Sequence, residues 1–397
     1  MDDDFDMFAI DESLNDAKNT NQTTFFLGTE VKHVDDLADA EGYFRAPAGT
    51  TLSSYIVQGE LGKGVFSTVY YVKKNGAEYA AKVLRANEIM HKAGEKELNI
   101  LKQIGFHPHI VQLVDSFELE SSTSKIPHLV LIFERMEMNL RETLNKFGKN
   151  TGISLEGVRN FGRQLFSCFA RLRELGIVHA DLKPDNILVS SDLRKCAVGD
   201  FGSAFYLTDP EAAQPTPYLV SRYYRSPEII LGLEYGCESD IWSLGVTLFE
   251  LFTGTVLFPG ETNSDMLALF QKRIGRFPKA MIRRHISSYV TKLEKEPHFN
   301  SKTLKFKLFE RDSATNMKIC RLVKAPDHPF PKEALKSLIL EKAEELDENL
   351  LGLTEVIEAC LKLDPQHRID PRKAETTFAF FHDADSKRDA KRMKIKL

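Results

Sequence analysis

Residues Ile177-Val178-His179-Ala180-Asp181-Leu182-Lys183-Pro184-Asp185-Asn186-Ile187-Leu188-Val189 constrain the chain more than any other stretch. Two short β-prone apolar pieces bracket a polar loop that holds an acid, a cation and an amide. Val198-Gly199-Asp200-Phe201-Gly202 then brings a second acid after a hairpin-sized gap. Such a loop can be a plain turn whose polar groups satisfy their own backbone. The second acid, and a glycine and lysine apparatus upstream, argue instead for a centre that handles phosphate.

The residue types fit that chemistry. A hydroxyl attacking the last phosphorus of ATP needs a carboxylate to hold it in line and take its proton, and Asp181 can do this. Lys183 beside it would offset charge on the γ-phosphate. Magnesium is a hard ion that takes oxygen ligands, and Asn186 and Asp200 supply a carbonyl and a carboxylate.

Together these residues resemble the catalytic and magnesium loops of eukaryotic protein kinases, and Lys183 resembles the serine/threonine branch. Ala180 stands where most kinases carry an arginine that grips a phosphorylated threonine in the activation segment. Its presence leaves the chemistry intact and argues against that mode of activation.

Upstream, Leu61-Gly62-Lys63-Gly64-Val65-Phe66-Ser67-Thr68-Val69-Tyr70 reads as strand, glycine turn, strand. Gly62 and Gly64 let the backbone approach ATP phosphates, amides facing the oxygens, with Leu61 alongside and Phe66 capping the turn. The flank is strand rather than helix, so a dinucleotide-binding fingerprint does not fit. Lys82 lies in the apolar run Glu78-Tyr79-Ala80-Ala81-Lys82-Val83-Leu84, where an unpaired ammonium is costly to bury. Its expected role is to hold the α- and β-phosphates, paired with Glu97 from the following helix. Glu95 is the competitor. The resemblance further implies that Val69, Ala80 and Leu188 sandwich adenine. It also makes Phe133 the gatekeeper and the backbone at Glu134 and Met136 the hinge contacts.

Downstream, Thr216-Pro217-Tyr218-Leu219-Val220-Ser221-Arg222-Tyr223-Tyr224-Arg225-Ser226-Pro227-Glu228 is polar and proline-punctuated. A phosphate on Tyr218 could take charge-assisted bonds from Arg222 and Arg225 and order the loop. The alternative is that Tyr218 simply packs and the arginines pair with Glu228 or other acids. Ser221 is expected to bond Asp181 and Lys183. The run 221–228 resembles the CMGC branch, which contains cyclin-dependent, MAP and dual-specificity tyrosine-regulated kinases. In that branch Arg225 would help shape the pocket after the phosphoacceptor, and a Ser/Thr-Pro preference is implied. The resemblance also gives Asp240 the catalytic-loop backbone as its partner, and Arg368 a buried pair with Glu228.

The rest of the composition sets limits. At 397 residues and net charge −4, nothing in the overall balance demands nucleic acid or a membrane. The five cysteines lack metal-ligand spacing and suit free thiols in a reducing compartment. Residues 1–45 hold 12 acidic and 3 basic side chains, with small apolar islands at 5–9 and 40–45, and read as a largely disordered leader. Residues 257–346 are a basic, aromatic insert suited to a surface subdomain or a docking role. The basic tail suits a solvated end or nuclear import equally.

The expectation is therefore an α+β, two-lobed kinase fold: leader 1–50, β-rich N-lobe and hinge 51–136, helical C-lobe 137–383 with its insert, and tail 384–397. The expected ligands are ATP and Mg2+. Within the CMGC branch, the segments 40–45, 62–67, 138–142, 179–181, 216–222 and 281–284 resemble the kinases of pre-mRNA splicing. That implies a monomeric nuclear enzyme acting on spliceosomal tri-snRNP proteins, with no direct nucleic-acid binding and no membrane. Dual-specificity tyrosine-regulated or homeodomain-interacting kinases with other substrates are the alternative. A pseudokinase scaffold would be expected to lack an acid or lysine that this sequence retains.

Overall fold

From Tyr55 onward β-branched and aromatic residues alternate with polar ones, and the chain there forms a twisted antiparallel sheet. The computed structural model describes residues 42–120, 125–209, 220–311, 318–324, 334–342 and 347–382. These fall into two units: the described residues up to Glu137 together with Asp200–Ser203, and the remainder from Met138 onward. The architecture is α+β.

In the first unit, β1 (Thr51–Leu52), β2 (Tyr55–Lys63), β3 (Ser67–Lys74), β4 (Ala77–Leu84), α1 (Glu88–Ile104), β5 (Leu113–Leu119) and β6 (His128–Glu134) follow one another. The strands lie in the order β1-β2-β3-β4-β6-β5. Period-two alternation gives the sheet two working faces. On one, Tyr55, Val57, Tyr70, Val72, Ala81, Val83, Val130 and Ile132 form a core cluster closed by Leu52 and Phe44. Within residues 42–50, read from sequence as the end of the acidic leader, Tyr43 and Phe44 are thus packed against the sheet, with Phe44 2% exposed. Residues 1–41 lie outside the described residues.

The other face packs Leu84, Leu129 and Leu131 against Leu98 of α1. That helix starts because the Asn87 side chain accepts from Met90 N. It ends at Gly105, whose φ of +66° suits glycine. Gly94, Glu97, Leu101 and Ile104 recur at helical spacing on its buried side, so one carboxylate sits in an apolar stripe.

The second unit is mostly helical. It opens with β7 (Met138–Asn139), α2 (Leu140–Phe147), α3 (Leu155–Glu174), β8 (Ile177–Val178), β9 (Ile187–Val189), β10 (Cys196–Val198) and β11 (Phe205–Tyr206). The helices α4 (Pro227–Ile230), α5 (Cys237–Thr253), α6 (Asn263–Arg273) and α7 (Lys279–Thr291) follow. Last come β12 (Phe306–Arg311), β13 (Lys318–Val323), α8 (Leu335–Leu340), α9 (Glu348–Cys360) and α10 (Ala374–Thr377). Helix α5 is buried on nearly every side, its apolar residues spread round the helix and its buried acids Asp240 and Glu250 held by partners. Its Trp242 stacks on Phe258 at 5.6 Å and meets Phe270 edge-on at 4.9 Å. Strands β10, β9 and β7 form a small sheet, and β8 pairs with β11. These two pieces hold the catalytic loop between β8 and β9.

The insert begins inside this core. One face of α7 is buried, and Tyr289 Oη, His285 Nδ1 and Ser288 Oγ donate to the carbonyls of Ile230, Leu231 and Gly232. Those carbonyls end α4 and have no intrahelical partners. β12 and β13 pair as an antiparallel hairpin that leaves Phe309 and Leu322 exposed. All five cysteines are free, with Cys320 exposed. The basic tail, 384–397, lies outside the described residues.

Candidate active site

In the sheet unit, register decides which side chains share a surface. Val69 pairs with Lys82, Lys82 with Leu131, and Ala80 with Phe133, so Val69, Ala80, Lys82 and Phe133 share one face. Lys82 Nζ donates to both Glu97 oxygens at 2.8 and 2.9 Å and to Asp200 Oδ1 at 2.9 Å. Glu97 is 2% exposed, whereas the Glu95 side chain is 57% exposed and lies 3.8 Å from His91. Glu97 is therefore the partner and Glu95 is not.

Burial alone would lower the Lys82 pKa, but the carboxylates of Asp200 and Glu97 overcome it and hold the ammonium charged. Burial pushes Glu97 upward, and Lys82 opposes that shift. Asp200 adopts φ +58°, a left-handed conformation uncommon for a residue with a Cβ. A Cβ on Gly202 would lie 3.4 Å from Asp200 Oδ1 and 3.8 Å from Glu97 Oε2, in ordinary contact with the charged cluster.

The glycine turn is open: Leu61, Val65 and Phe66 are 50%, 57% and 46% exposed. Nothing would meet a Cβ at Gly62 within 4 Å. The Gly64 amide is spent on Ser67 O at 2.9 Å. Among the described residues the Val65 and Phe66 amides have no acceptor, which makes them the turn's available donors. Glu134 gives its N–H to Gln112 O at 3.0 Å, so the hinge contact expected of its backbone would have to come from the carbonyl. Met136 is half-buried.

In the helical unit, the catalytic loop is fixed from below by α5. Asp240, 2% exposed, accepts from His179 N at 2.8 Å and Ala180 N at 2.9 Å. Burial raises its carboxyl to about 6 even against those bonds. Ala180 itself has φ +63°. His179 Nε2 donates to Gly199 O at 3.0 Å, and its Nδ1 accepts from Asp181 N at 3.2 Å, which fixes the tautomer. Asp181 is thereby aimed by its own neighbours.

Both Asp181 oxygens are engaged. Oδ1 accepts from Ser221 Oγ at 2.8 Å and Ser221 N at 3.2 Å. Oδ2 accepts from Asn186 Nδ2 at 3.0 Å and lies 3.0 Å from Lys183 Nζ. Lys183 also donates to Ser221 Oγ at 2.8 Å. Asn186 Nδ2 further donates to Asp181 O at 2.8 Å, so its amide nitrogen is committed and its carbonyl oxygen is the group left for a cation. Leu188, on β9, is half-buried.

Beyond Ser221 the segment is tied down. Arg225, wholly buried, donates from Nε and Nη2 to Val220 O at 3.1 and 2.9 Å and from Nη1 to Asn263 Oδ1 at 2.8 Å. Arg222 lies in a single 3-10 turn over Arg222–Tyr224. Tyr218 lies outside the described residues. Arg368 grips Glu228 through two 2.6 Å bonds, and both side chains are fully buried.

Sequence reasoning missed one group. Arg141 of α2 bonds Glu250 of α5, the Tyr224 hydroxyl at 2.6 Å and, at 3.4 Å, Asp185 of the catalytic loop. Its only sequence signal is an arginine beside a capping box, which says nothing about partners 44, 83 and 109 residues away.

The chain belongs to the protein kinase family, whose domain matches residues 55–378. Among curated relatives it is similar to the serine/threonine-protein kinase prpf4B of Dictyostelium discoideum, 36% identical over 93% of this chain. It is equally similar to prp4 of Schizosaccharomyces pombe, 36% identical over 86% of this chain. Next comes a probable dyrk2 kinase of Dictyostelium discoideum, 38% identical over 56% of this chain. The match covers 46% of the prpf4B relative and 69% of prp4.

Proposed function

We propose that the chain transfers the γ-phosphoryl of Mg-ATP to serine or threonine hydroxyls of proteins. The observation that carries the reading is Asp181, with one oxygen held by Ser221 and the other by Asn186 and Lys183. As the substrate oxygen bonds to phosphorus, the bond from phosphorus to the β-phosphate oxygen breaks and ADP departs. The hydroxyl proton passes to Asp181. Lys183 offsets charge on the transferring group, and Lys82, kept cationic, holds the α- and β-phosphates. Asn186 and Asp200 would each offer an oxygen to magnesium, which when bound neutralises phosphate charge. That fits a metal taken by one or two protein oxygens plus phosphate. Among the described residues no cluster of three acidic, histidine or cysteine ligands exists. The test is phosphate incorporation by purified chain, with Lys82→Met and Asp200→Ala as controls.

The substrate preference proposed is serine or threonine followed by proline. Val220, one residue before the serine that bonds Asp181, has φ +73°, and Arg225 occupies its carbonyl twice. A substrate amide arriving there gives up water and finds no acceptor, whereas proline has no N–H to lose. Peptides with proline after the phosphoacceptor should be phosphorylated about tenfold more efficiently than those with alanine; equal kcat/KM would remove the preference.

Activation is proposed to run through phosphate on Tyr218. Support comes from Ala180 in place of an arginine and from the two arginines four and seven residues downstream. Tyr218→Phe should lose most turnover. Likeness to prpf4B and prp4 kinases supports spliceosomal protein substrates, a nuclear location with the basic tail as import signal, and no direct nucleic-acid binding. Phosphosite mapping in nuclear extract after selective inhibition tests this: loss of sites confined to non-splicing proteins would favour the dual-specificity tyrosine-regulated alternative.

A further inference from the structure

Residues 42–46 run across the outer sheet face as a strap fastened at both ends. At one end Ala86 N donates to Gly42 O at 2.9 Å, and the strap turns at Gly42 with φ +80°. At the other, Tyr70 Oη donates to Phe44 O at 2.6 Å and accepts from Ala46 N at 3.1 Å. Phe44 plugs the core and meets His128 edge-on at 5.2 Å.

Between these anchors, Tyr43 reaches the glycine turn. Its hydroxyl donates to Val65 O at 3.0 Å, and Arg85 Nη1 donates to the same oxygen at 3.2 Å. Lys63 Nζ lies 3.8 Å from the Tyr43 ring centroid and the Arg85 guanidinium carbon 4.4 Å from it. Tyr43 is 8% exposed although the turn it holds is open to water.

Two donors on a carbonyl that water could reach do more than satisfy it: they orient it. A trans peptide is planar, with its C=O and N–H pointing in opposite directions. Holding Val65 O therefore turns the Phe66 N–H to the opposite side of the turn. That amide matters because Gly64 has already spent its own N–H on Ser67.

We propose that Tyr43 is a positioning residue for the reaction: through Val65 it presents the Phe66 amide to a phosphate of the bound nucleotide. The inference rests on the nucleotide role proposed for the glycine turn and adds a residue outside the region matched to the kinase family. It gives the segment before the sheet a task in substrate binding. Preorganisation of this kind lowers the cost of ordering the turn around a ligand.

The test is Tyr43→Phe in the full chain, which keeps the ring, its packing and its neighbouring cations. Mg-ADP and adenosine are titrated calorimetrically into both proteins. Loss of one neutral hydrogen bond should weaken Mg-ADP by about 3- to 10-fold and raise the ATP KM comparably. Adenosine, which has no phosphate, should bind within about 1.5-fold, because the change acts on the phosphate side alone. Equal Mg-ADP affinity in both proteins overturns the inference while leaving the kinase reading intact. So does an adenosine loss as large as the ADP loss, which would mark a general structural effect. A wild-type chain that binds neither ligand removes both readings.

Discussion

Lys82 divides one positive charge between two carboxylates, Glu97 and Asp200, and on the proposed reading that division governs how Asp200 would meet a cation. Glu97→Gln leaves the ammonium to Asp200 alone, tightening that pair at the expense of magnesium. We expect kcat/KM for ATP to fall about 10- to 100-fold, the usual size for groups that orient a metal ligand. Part of the loss should be recovered as magnesium is raised, seen in initial rates over a magnesium series. Unchanged rates would mean that Glu97 only fills space. Residues of this kind were legible in the sequence, because an isolated lysine or acid in an apolar strand or helix has few affordable explanations. The choice between Glu95 and Glu97 was harder, since both lie on one helix and only burial against the sheet separates them.

At the scale of elements, α7 does more than a surface subdomain would. Its three donors satisfy the carbonyls that end α4, the helix carrying the glutamate that Arg368 grips. His285 is fully buried, and burial pushes it down to about 3 even though its bond to Leu231 O opposes the shift. The folded state therefore excludes a proton that the unfolded chain binds below about 6.5. This contribution to stability is complete above pH 6.5 and is lost as pH falls toward 3, by roughly 2 kcal/mol at pH 5. Denaturant unfolding at pH 7.5 and pH 5 should show that slope, and His285→Asn, which can still donate to Leu231 O, should lessen it, leaving the share of the neighbouring His298, which burial pushes down to about 4. An unchanged slope would assign acid sensitivity to other groups. Nothing in the insert's sequence announced this role, because its partners lie some fifty-five residues upstream. The strap at 42–46 was hidden for another reason: its two aromatics sit at the end of a strongly acidic segment, whose composition favours disorder.

Across the molecule the work is divided. The sheet unit carries Lys82, its carboxylates and the glycine turn; the helical unit carries Asp181, proposed as the base, with Lys183, Asn186 and the segment expected to meet the substrate. The catalytic loop could be read from sequence because the chemistry dictates residue types within a few positions of each other. The long-range supports leave no local pattern: Arg141 with Glu250 was not anticipated, and Asp240 beneath the loop was expected only through the family resemblance. This division predicts that nucleotide binding and phosphoryl transfer can be uncoupled. The most direct measurement is Mg-ADP affinity alongside single-turnover phosphoryl transfer for wild type and Asp181→Asn. We expect ADP affinity within about twofold and transfer slower by about 100- to 10,000-fold, the range for losing a general base. Transfer at the wild-type rate by Asp181→Asn would contradict the assignment of Asp181 as the group that receives the hydroxyl proton.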